Sequence, residues 1–201
     1  MRKSIKLGIK SLVCSDPIMA DIINKYGSCN LKPSKTYFRN LVSSIISQQL
    51  SSKAANTIYN RFLEKINNHL SPENILQLSP EEFRSAGISK QKMSYLIALS
   101  NTFIEDREFF NKLNKHSDDE IIKELTKIKG IGLWTAQMFL IFSLNRLNVF
   151  PVDDVGIRNS IKLHYKLRKE PDKKRLIAIS NKWGEYKSIA SWYLWKALDD
   201  K

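Results

Sequence analysis

The feature that most constrains this 201-residue chain is a glycine-bracketed turn, Ile128-Lys129-Gly130-Ile131-Gly132. One helical pattern leads into the turn and another leaves it. Its two glycines can adopt positive φ or let the backbone approach a ligand closely. We therefore predict a tight helix-to-helix turn. A Gly-x-Gly between helices is common in ordinary proteins, so its meaning depends on the residues around it.

The segment that follows the turn is rich in apolar residues. From Leu133 to Leu147 it is too apolar for a surface helix and too short to span a bilayer, which predicts a buried core helix. Pro151 interrupts the chain beyond it, and Asp153 and Asp154 open the next helix. A carboxylate there can cap free backbone amides and meet the positive end of the helix dipole. We interpret the stretch from Leu125 to Arg158 as the active centre.

The rest of the sequence predicts further helices, each with a recognisable start. Two patterns form a predicted antiparallel helix pair, joined by the polar turn Gln48-Gln49-Leu50-Ser51, with Ser51 or Ser52 capping the second helix. No segment has the period-two alternation of a β-strand, so the predicted fold class is all-α. Other capping residues precede apolar helical patterns at Asp16, Ser71, Ser79, Ser89 and Ser117.

The charge balance indicates a polyanionic partner. Thirty-three Lys and Arg residues against twenty Asp and Glu residues give a formal net charge of +13 and a pI near 9.7. Such a surface suits nucleic acid best, with a merely soluble basic surface or an anionic membrane as the alternatives. Lys90 and Lys92 oppose the dipole of the helix they begin. They can serve a phosphate, although a solvated helix end is the favoured interpretation.

Cysteine and histidine usage argues against a metal centre. Two cysteines are too few for a disulfide scaffold or an iron–sulfur cluster, and they suit a reducing cytosol or nucleus. The histidines lack partners at metal-ligand spacing, so we expect no metal and no other cofactor. The amino terminus has no apolar segment long enough for a secretion signal. The residues concerned are Cys14, Cys29, His69, His116 and His164.

Taken together, these residues resemble the helix-hairpin-helix DNA glycosylase superfamily, and most closely its 3-methyladenine DNA glycosylase II branch, over most of the chain. Residues 47–51, Ser-Gln-Gln-Leu-Ser, are similar to the family's minor-groove loop, and residues 129–136 to its hairpin. The sequence Phe-Pro-Val-Asp-Asp at 150–154 is similar to its catalytic segment, and the aromatic residues from Trp183 to Trp195 look like its carboxy-terminal tryptophan helix.

The resemblance implies a role for each matched residue. Asp154 would be catalytic, and Asp153 would be a helix cap. The base pocket would contain Trp134, Met138 and Trp195, with Met138 standing where the family has an aromatic residue. The candidates for the wedge that fills the gap left by a flipped base are Gln49, Leu50 and Ser51, of which Leu50 is the best apolar one; the alternative is that Leu50 only closes the helix pair. The DNA-binding residues would be Gln48, Gln49, Leu50, Ser51, Lys129, Gly130, Ile131, Gly132 and Thr135.

The resemblance also implies the architecture and the reaction. Residues 35–149 would form a central helical lobe, residues 1–34 and 150–201 a second lobe, and DNA would bind in a cleft between them. The expected protein is a monomeric, monofunctional glycosylase of the nucleoid, cytoplasm or nucleus. It would excise alkylated purines from double-stranded DNA without a membrane partner. It would lack lyase activity, because Trp134 stands where lyase relatives have lysine. The alternatives are a non-catalytic DNA-binding module, a glycosylase for a different damaged base, and a bifunctional glycosylase with lyase activity, which ranks below the monofunctional enzyme.

Overall fold

The computed structural model describes residues 2–199 and is 71% helical, without a β-strand among those residues. The all-α prediction is confirmed. None of the helices within 2–199 has the length and apolar character needed to cross a membrane. The α-helices, in chain order, are α1 (Arg2–Ser15), α2 (Pro17–Tyr26), α3 (Tyr37–Ser47), α4 (Ser52–Lys65), α5 (Pro72–Leu76), α6 (Pro80–Ser85), α7 (Lys90–Glu105), α8 (Arg107–Asn111), α9 (Asp118–Lys127), α10 (Leu133–Phe142), α11 (Val155–His164), α12 (Lys173–Ser180) and α13 (Lys187–Asp199). Two 3₁₀ segments, Leu113–Lys115 and Asn181–Tyr186, join neighbouring helices.

The chain divides into two compact units. The central unit is Ser34–Phe139, and the terminal unit contains the residues up to Pro33 together with those from Leu140 onwards. The second boundary therefore falls within α10. The predicted division into a central helical lobe, 35–149, and a second helical lobe, 1–34 with 150–201, stays a prediction.

Serine side chains begin five helices of the central unit, α4, α5, α6, α7 and α9, as the sequence predicts. Ser51 caps α4, which decides between Ser51 and Ser52, and Ser89 caps α7. Ser79 and Ser117 form complete capping boxes, in which a glutamate three residues later accepts a hydrogen bond from the serine backbone N–H. Each cap satisfies a backbone N–H that lacks a partner within its helix. These starts depend on a few neighbouring residues, which is why the sequence predicts them.

A buried carboxylate organises the terminal unit. Asp16 caps α2 through a hydrogen bond from the Ile18 backbone N–H (3.1 Å), and its Oδ2 accepts from the Trp183 indole (3.2 Å) and the Tyr165 hydroxyl. Burial raises the pKa of Tyr165, and the hydrogen bond to Asp16 raises it further. Three donors therefore converge on one carboxylate, one from the adjacent helix start and two from distant parts of the chain. That arrangement satisfies a charge that would otherwise be costly to bury.

The predicted core helix after the glycine turn is shorter and less buried than expected. The helix α10 ends at Phe142 instead of continuing to Leu147. Asn145 takes a left-handed conformation with φ of +54°, and the Arg146 backbone N–H donates to the Leu140 carbonyl (2.9 Å), which ends the helix. Large apolar side chains are exposed at both ends of α10, so only its middle belongs to the core.

Candidate active site

The segment that leads to the paired carboxylates is anchored to the start of α13. Ser188 Oγ accepts a hydrogen bond from the Val149 backbone N–H (3.0 Å), and the Ser188 backbone N–H donates to the Leu147 carbonyl (2.9 Å). A turn follows, closed by a bond from the Asp154 backbone N–H to the Pro151 carbonyl (2.9 Å). These contacts fix the place at which α11 begins.

Asp154 is the N-cap of α11, and its side chain is almost completely buried, with 8% of the residue exposed. Its Oδ1 accepts hydrogen bonds from the Ile157 backbone N–H (2.8 Å) and from the indole Nε1–H of Trp195 (2.9 Å). Hydrogen bonds to an ionised acceptor are stronger than neutral ones, so this pair holds the carboxylate in one orientation. The positive end of the α11 dipole favours the same anion.

Trp195 reaches Asp154 because α13 packs along α11. Ser160 on α11 donates its hydroxyl to the Leu194 carbonyl (2.8 Å), which locks the two helices together one residue before the tryptophan. The Trp195 ring also lies against the Phe142 ring, with centroids 5.5 Å apart. The sequence predicts an aromatic pocket wall at Trp195, and the structure adds a hydrogen bond to the candidate catalytic carboxylate.

Gly156 is part of this site, although sequence reasoning missed it. A Cβ built on Gly156 would lie 3.1 Å from Asp154 Oδ1 and 3.2 Å from Trp195 Cδ1. A side chain at this position would therefore press against both partners of the indole–carboxylate bond. The available signal was a glycine in the first turn of a helix, where alanine would otherwise be favoured.

The predicted role of Asp153 as the helix cap is wrong. The helix starts at Val155, so the capping position falls on Asp154. The Asp153 side chain is exposed and forms an ion pair with Lys173, with Nζ 2.7 Å from Oδ1. One aspartate is thus buried and oriented, while its neighbour makes a surface contact.

The hairpin of the central unit, residues 128–132, uses its two glycines differently. Gly130 has φ of +91°, and a Cβ built on it would lie 2.2 Å from Cγ of Tyr95, so the Tyr95 ring packs directly on the turn. The Ile131 backbone N–H donates to the Ile128 carbonyl (3.0 Å) inside the turn. Gly132 is exposed, and a Cβ built on it would meet nothing within 4 Å. Gly130 is therefore required by the fold, whereas Gly132 leaves the backbone open to a ligand.

The polar loop, residues 48–51, makes contact with the hairpin. The Gln48 side chain donates through Nε2 to the Gly130 carbonyl (2.9 Å). Gln49 has φ of +58°, and Leu50 is 38% exposed. Lys92 Nζ donates to the carbonyls of Ile46 (2.7 Å) and Gln48 (2.9 Å), and burial lowers the pKa of Lys92. The favoured prediction of a solvated helix end is therefore wrong for Lys92, because its ammonium caps the end of α3.

The other predicted site residues of the central unit differ in exposure. Trp134 is 46% exposed and Lys129 is exposed, whereas Met138 is half-buried. Thr135 is only 5% exposed and faces the interior. The predicted pocket roles of Trp134 and Met138 and the predicted DNA contacts stay predictions.

The polar loop, the hairpin and the oriented carboxylate lie within one family match. The family model described as HhH-GPD superfamily base excision DNA repair protein matches residues 42–185. This chain belongs to that family. The resemblance inferred from the sequence is confirmed, and the match of this HhH-GPD protein extends from α3 to the 3₁₀ segment that precedes α13.

Relatives of this HhH-GPD protein carry glycosylase names. It is 37% identical to DNA-3-methyladenine glycosylase 1 of Schizosaccharomyces pombe over 184 residues, which cover 89% of this chain and 79% of the relative. Its fold is similar to that of DNA-3-methyladenine glycosidase from Bacillus halodurans, with a TM-score of 0.85, 39% identity and coverage of 94% of this chain and 88% of the other. It also resembles the S. pombe 3-methyladenine DNA glycosylase Mag1 in complex with abasic DNA, with a TM-score of 0.85, 34% identity and 96% of both chains covered.

Proposed function

We propose that this HhH-GPD protein is a monofunctional DNA glycosylase that flips alkylated purines out of double-stranded DNA and hydrolyses their glycosidic bond. The observation that carries the proposal is the Asp154 carboxylate, buried at the start of α11 and held by two hydrogen bonds to Oδ1. The names of the similar proteins support the same reaction. The enzyme acts as a monomer wherever the genome lies, in the nucleoid or the nucleus.

Asp154 acts on the sugar. A 3- or 7-alkylated purine is cationic and leaves with the electrons of the glycosidic bond, which places positive charge on the deoxyribose. An oriented carboxylate stabilises that charge, or it accepts a proton from the water that attacks the anomeric carbon. The products are the free base and an abasic sugar. Because the leaving group already carries a positive charge, the reaction does not depend on a general acid.

The central unit provides the contacts that hold the DNA backbone. Exposed Lys129 and Gly132 lie in the hairpin that leads into α10. The backbone N–H groups and the positive end of the dipole at the start of a helix favour a phosphate. Such contacts hold the backbone without reading sequence. Leu50 is the exposed apolar residue of the polar loop and fills the gap that the flipped base leaves. The net charge of +13 strengthens binding in a salt-dependent way.

The reaction stops at base removal. A lyase step needs an amine that attacks the sugar to form a Schiff base. Trp134 stands at the position where lyase relatives carry that lysine, and its indole cannot act as the amine. The expected product is therefore an abasic site in an intact strand. Strand breakage before alkaline treatment, or a borohydride-trapped covalent complex, would contradict this part of the proposal.

The decisive experiment compares Asp154→Asn with Asp153→Asn in single-turnover excision from a duplex carrying one alkylated purine. Asparagine still caps a helix and accepts the two hydrogen bonds, so the fold is kept while the charge is lost. We expect excision to fall by at least about 100-fold in Asp154→Asn, with unchanged affinity for undamaged duplex. Asp153→Asn loses only an exposed ion pair and keeps its activity. Equal losses in both variants, or full activity in Asp154→Asn, would refute the assignment.

The substrate class is tested on the wild-type protein with matched duplexes. One carries a cationic 3- or 7-alkylated purine, and the others carry uracil or an oxidised guanine. We expect the alkylated purine to be released fastest, because it is the best leaving group and gains most from aromatic ring faces. Faster release of uracil or of the oxidised base would favour the alternative, a glycosylase for a different lesion. Binding without release of any base would favour a non-catalytic DNA-binding module.

A further inference from the structure

Two parts of the central unit that are predicted to touch DNA are joined by a side chain. The Gln48 amide, at the start of the polar loop, donates to the carbonyl of Gly130 in the hairpin at 2.9 Å. The two residues are 82 positions apart in sequence. On the hairpin side, Gly130 is held from another direction by the Tyr95 ring, whose hydroxyl accepts from Gln91 Nε2 at 2.6 Å. The loop and the hairpin are therefore linked through helix α7 as well as directly.

Lys92, also on α7, binds the polar loop where it leaves the end of α3. The last carbonyls of a helix lack partners within the helix and carry its partial negative charge. The Lys92 ammonium donates to two carbonyls at this end, those of Ile46 (2.7 Å) and Gln48 (2.9 Å). Gln49 follows with φ of +58°, a conformation that L residues with long side chains rarely adopt. The Lys92 ammonium binds the Gln48 carbonyl, directly before Gln49, and so stabilises the chain in the turn that Gln49 makes.

We propose that Lys92 and Gln48 are positioning residues that hold the polar loop and the hairpin as one preformed DNA-engaging surface. This inference rests on the proposed function, because it assigns both elements to DNA. It also assigns the positive charge of Lys92 to the protein's own carbonyls instead of to a phosphate. Lys90, two residues earlier in α7, is exposed and serves as the comparison.

Preorganisation predicts a specific pattern in DNA binding. If the loop and hairpin are not held, they must become ordered when DNA binds. The free energy of that ordering weakens binding by the same factor at every salt concentration. A lysine that contacts a phosphate behaves differently. The affinity falls as salt is added, and removal of such a lysine makes the slope of log affinity against log salt shallower by about one, because one fewer counterion is released. The salt dependence of binding therefore separates the two roles.

The experiment measures the affinity of Lys92→Met, Gln48→Met and Lys90→Met for an undamaged duplex from 50 to 200 mM salt. Lys92→Met and Lys90→Met carry the same charge change on the same helix. We expect Lys92→Met to bind on the order of tenfold more weakly at all salt concentrations, with the wild-type slope, since it loses hydrogen bonds from a charged donor. Gln48→Met should weaken binding in the same way without any change of charge. The double variant should lose less than the product of the two single losses, because both residues support one arrangement.

Several outcomes would overturn the inference. One is an unchanged affinity in Lys92→Met. Another is a salt dependence that becomes shallower by about one in Lys92→Met, which would make Lys92 a phosphate contact. Thermal unfolding identifies a variant that fails to fold, and Gln48→Met then provides the test. A loss explained by unfolding alone would disappear when binding is measured well below the melting temperature. Failure of the proposed function would show separately, as wild-type protein that binds duplex without releasing a base.

Discussion

The bond from the Trp195 indole to Asp154 predicts the effect of Trp195→Phe, which keeps a ring against Phe142 but removes the Nε1–H. Nε1 lies 2.9 Å from Asp154 Oδ1, and Asp154 is nearly buried, so water replaces the lost donor poorly. A hydrogen bond to a charged group contributes about 1.5–3 kcal/mol. At about 1.4 kcal/mol per factor of ten, excision should slow by roughly 10- to 150-fold if the bond maintains the reactive orientation of the carboxylate.

The assay is single-turnover release of an alkylated purine at saturating enzyme, so that it reports the chemical step and not binding. The matched control is Trp192→Phe, in the same helix, where the tryptophan packs edge-on against Tyr193. Trp195→Ala separates the two possible contributions of the side chain, because it removes the ring as well as the donor. If the ring face alone matters, Trp195→Phe will be nearly as active as wild type and Trp195→Ala will be slow. Wild-type rates in Trp195→Phe, or an equal loss in Trp192→Phe, would refute the role of the hydrogen bond.

Two further predictions concern the hairpin and the terminal unit. Gly130→Ala should lower stability by at least about 1–2 kcal/mol, because its positive φ and the Tyr95 ring leave no place for a Cβ. Gly132→Ala has room for a Cβ and should change stability by less than about 0.5 kcal/mol. A loss of duplex affinity in Gly132→Ala then reports the close approach of DNA, and equal melting temperatures for both variants would contradict this reasoning. Asp16→Asn should cost about 1–3 kcal/mol in urea unfolding, since an amide cannot accept from all three buried donors, while the folded protein keeps its excision rate. An unchanged urea midpoint would contradict the role assigned to Asp16.

The sequence by itself determined the features that depend on neighbouring residues, which are the helix caps, the glycine turn and the short motifs. A helix cap depends on residues within about three positions of each other, so Asp16, Ser89 and Ser117 identify their helices without any knowledge of the fold. The glycine turn is local in the same sense, because positive φ is a property of single residues. The motifs around the polar loop, the hairpin and Asp154 also lie in short segments, which is why the family could be inferred from them.

Only the tertiary structure decided which groups meet. Helix α1 is held within the terminal unit because Gly8 lets Ile189 and Tyr186 pack directly on it. Trp195 is 41 positions from Asp154, and Lys92 is 44 from Gln48. No pattern along the chain encodes such bonds, because they depend on how the helices pack. The same packing separates two adjacent aspartates into a buried, oriented carboxylate and a surface ion pair, a distinction that residue type and position in sequence leave open.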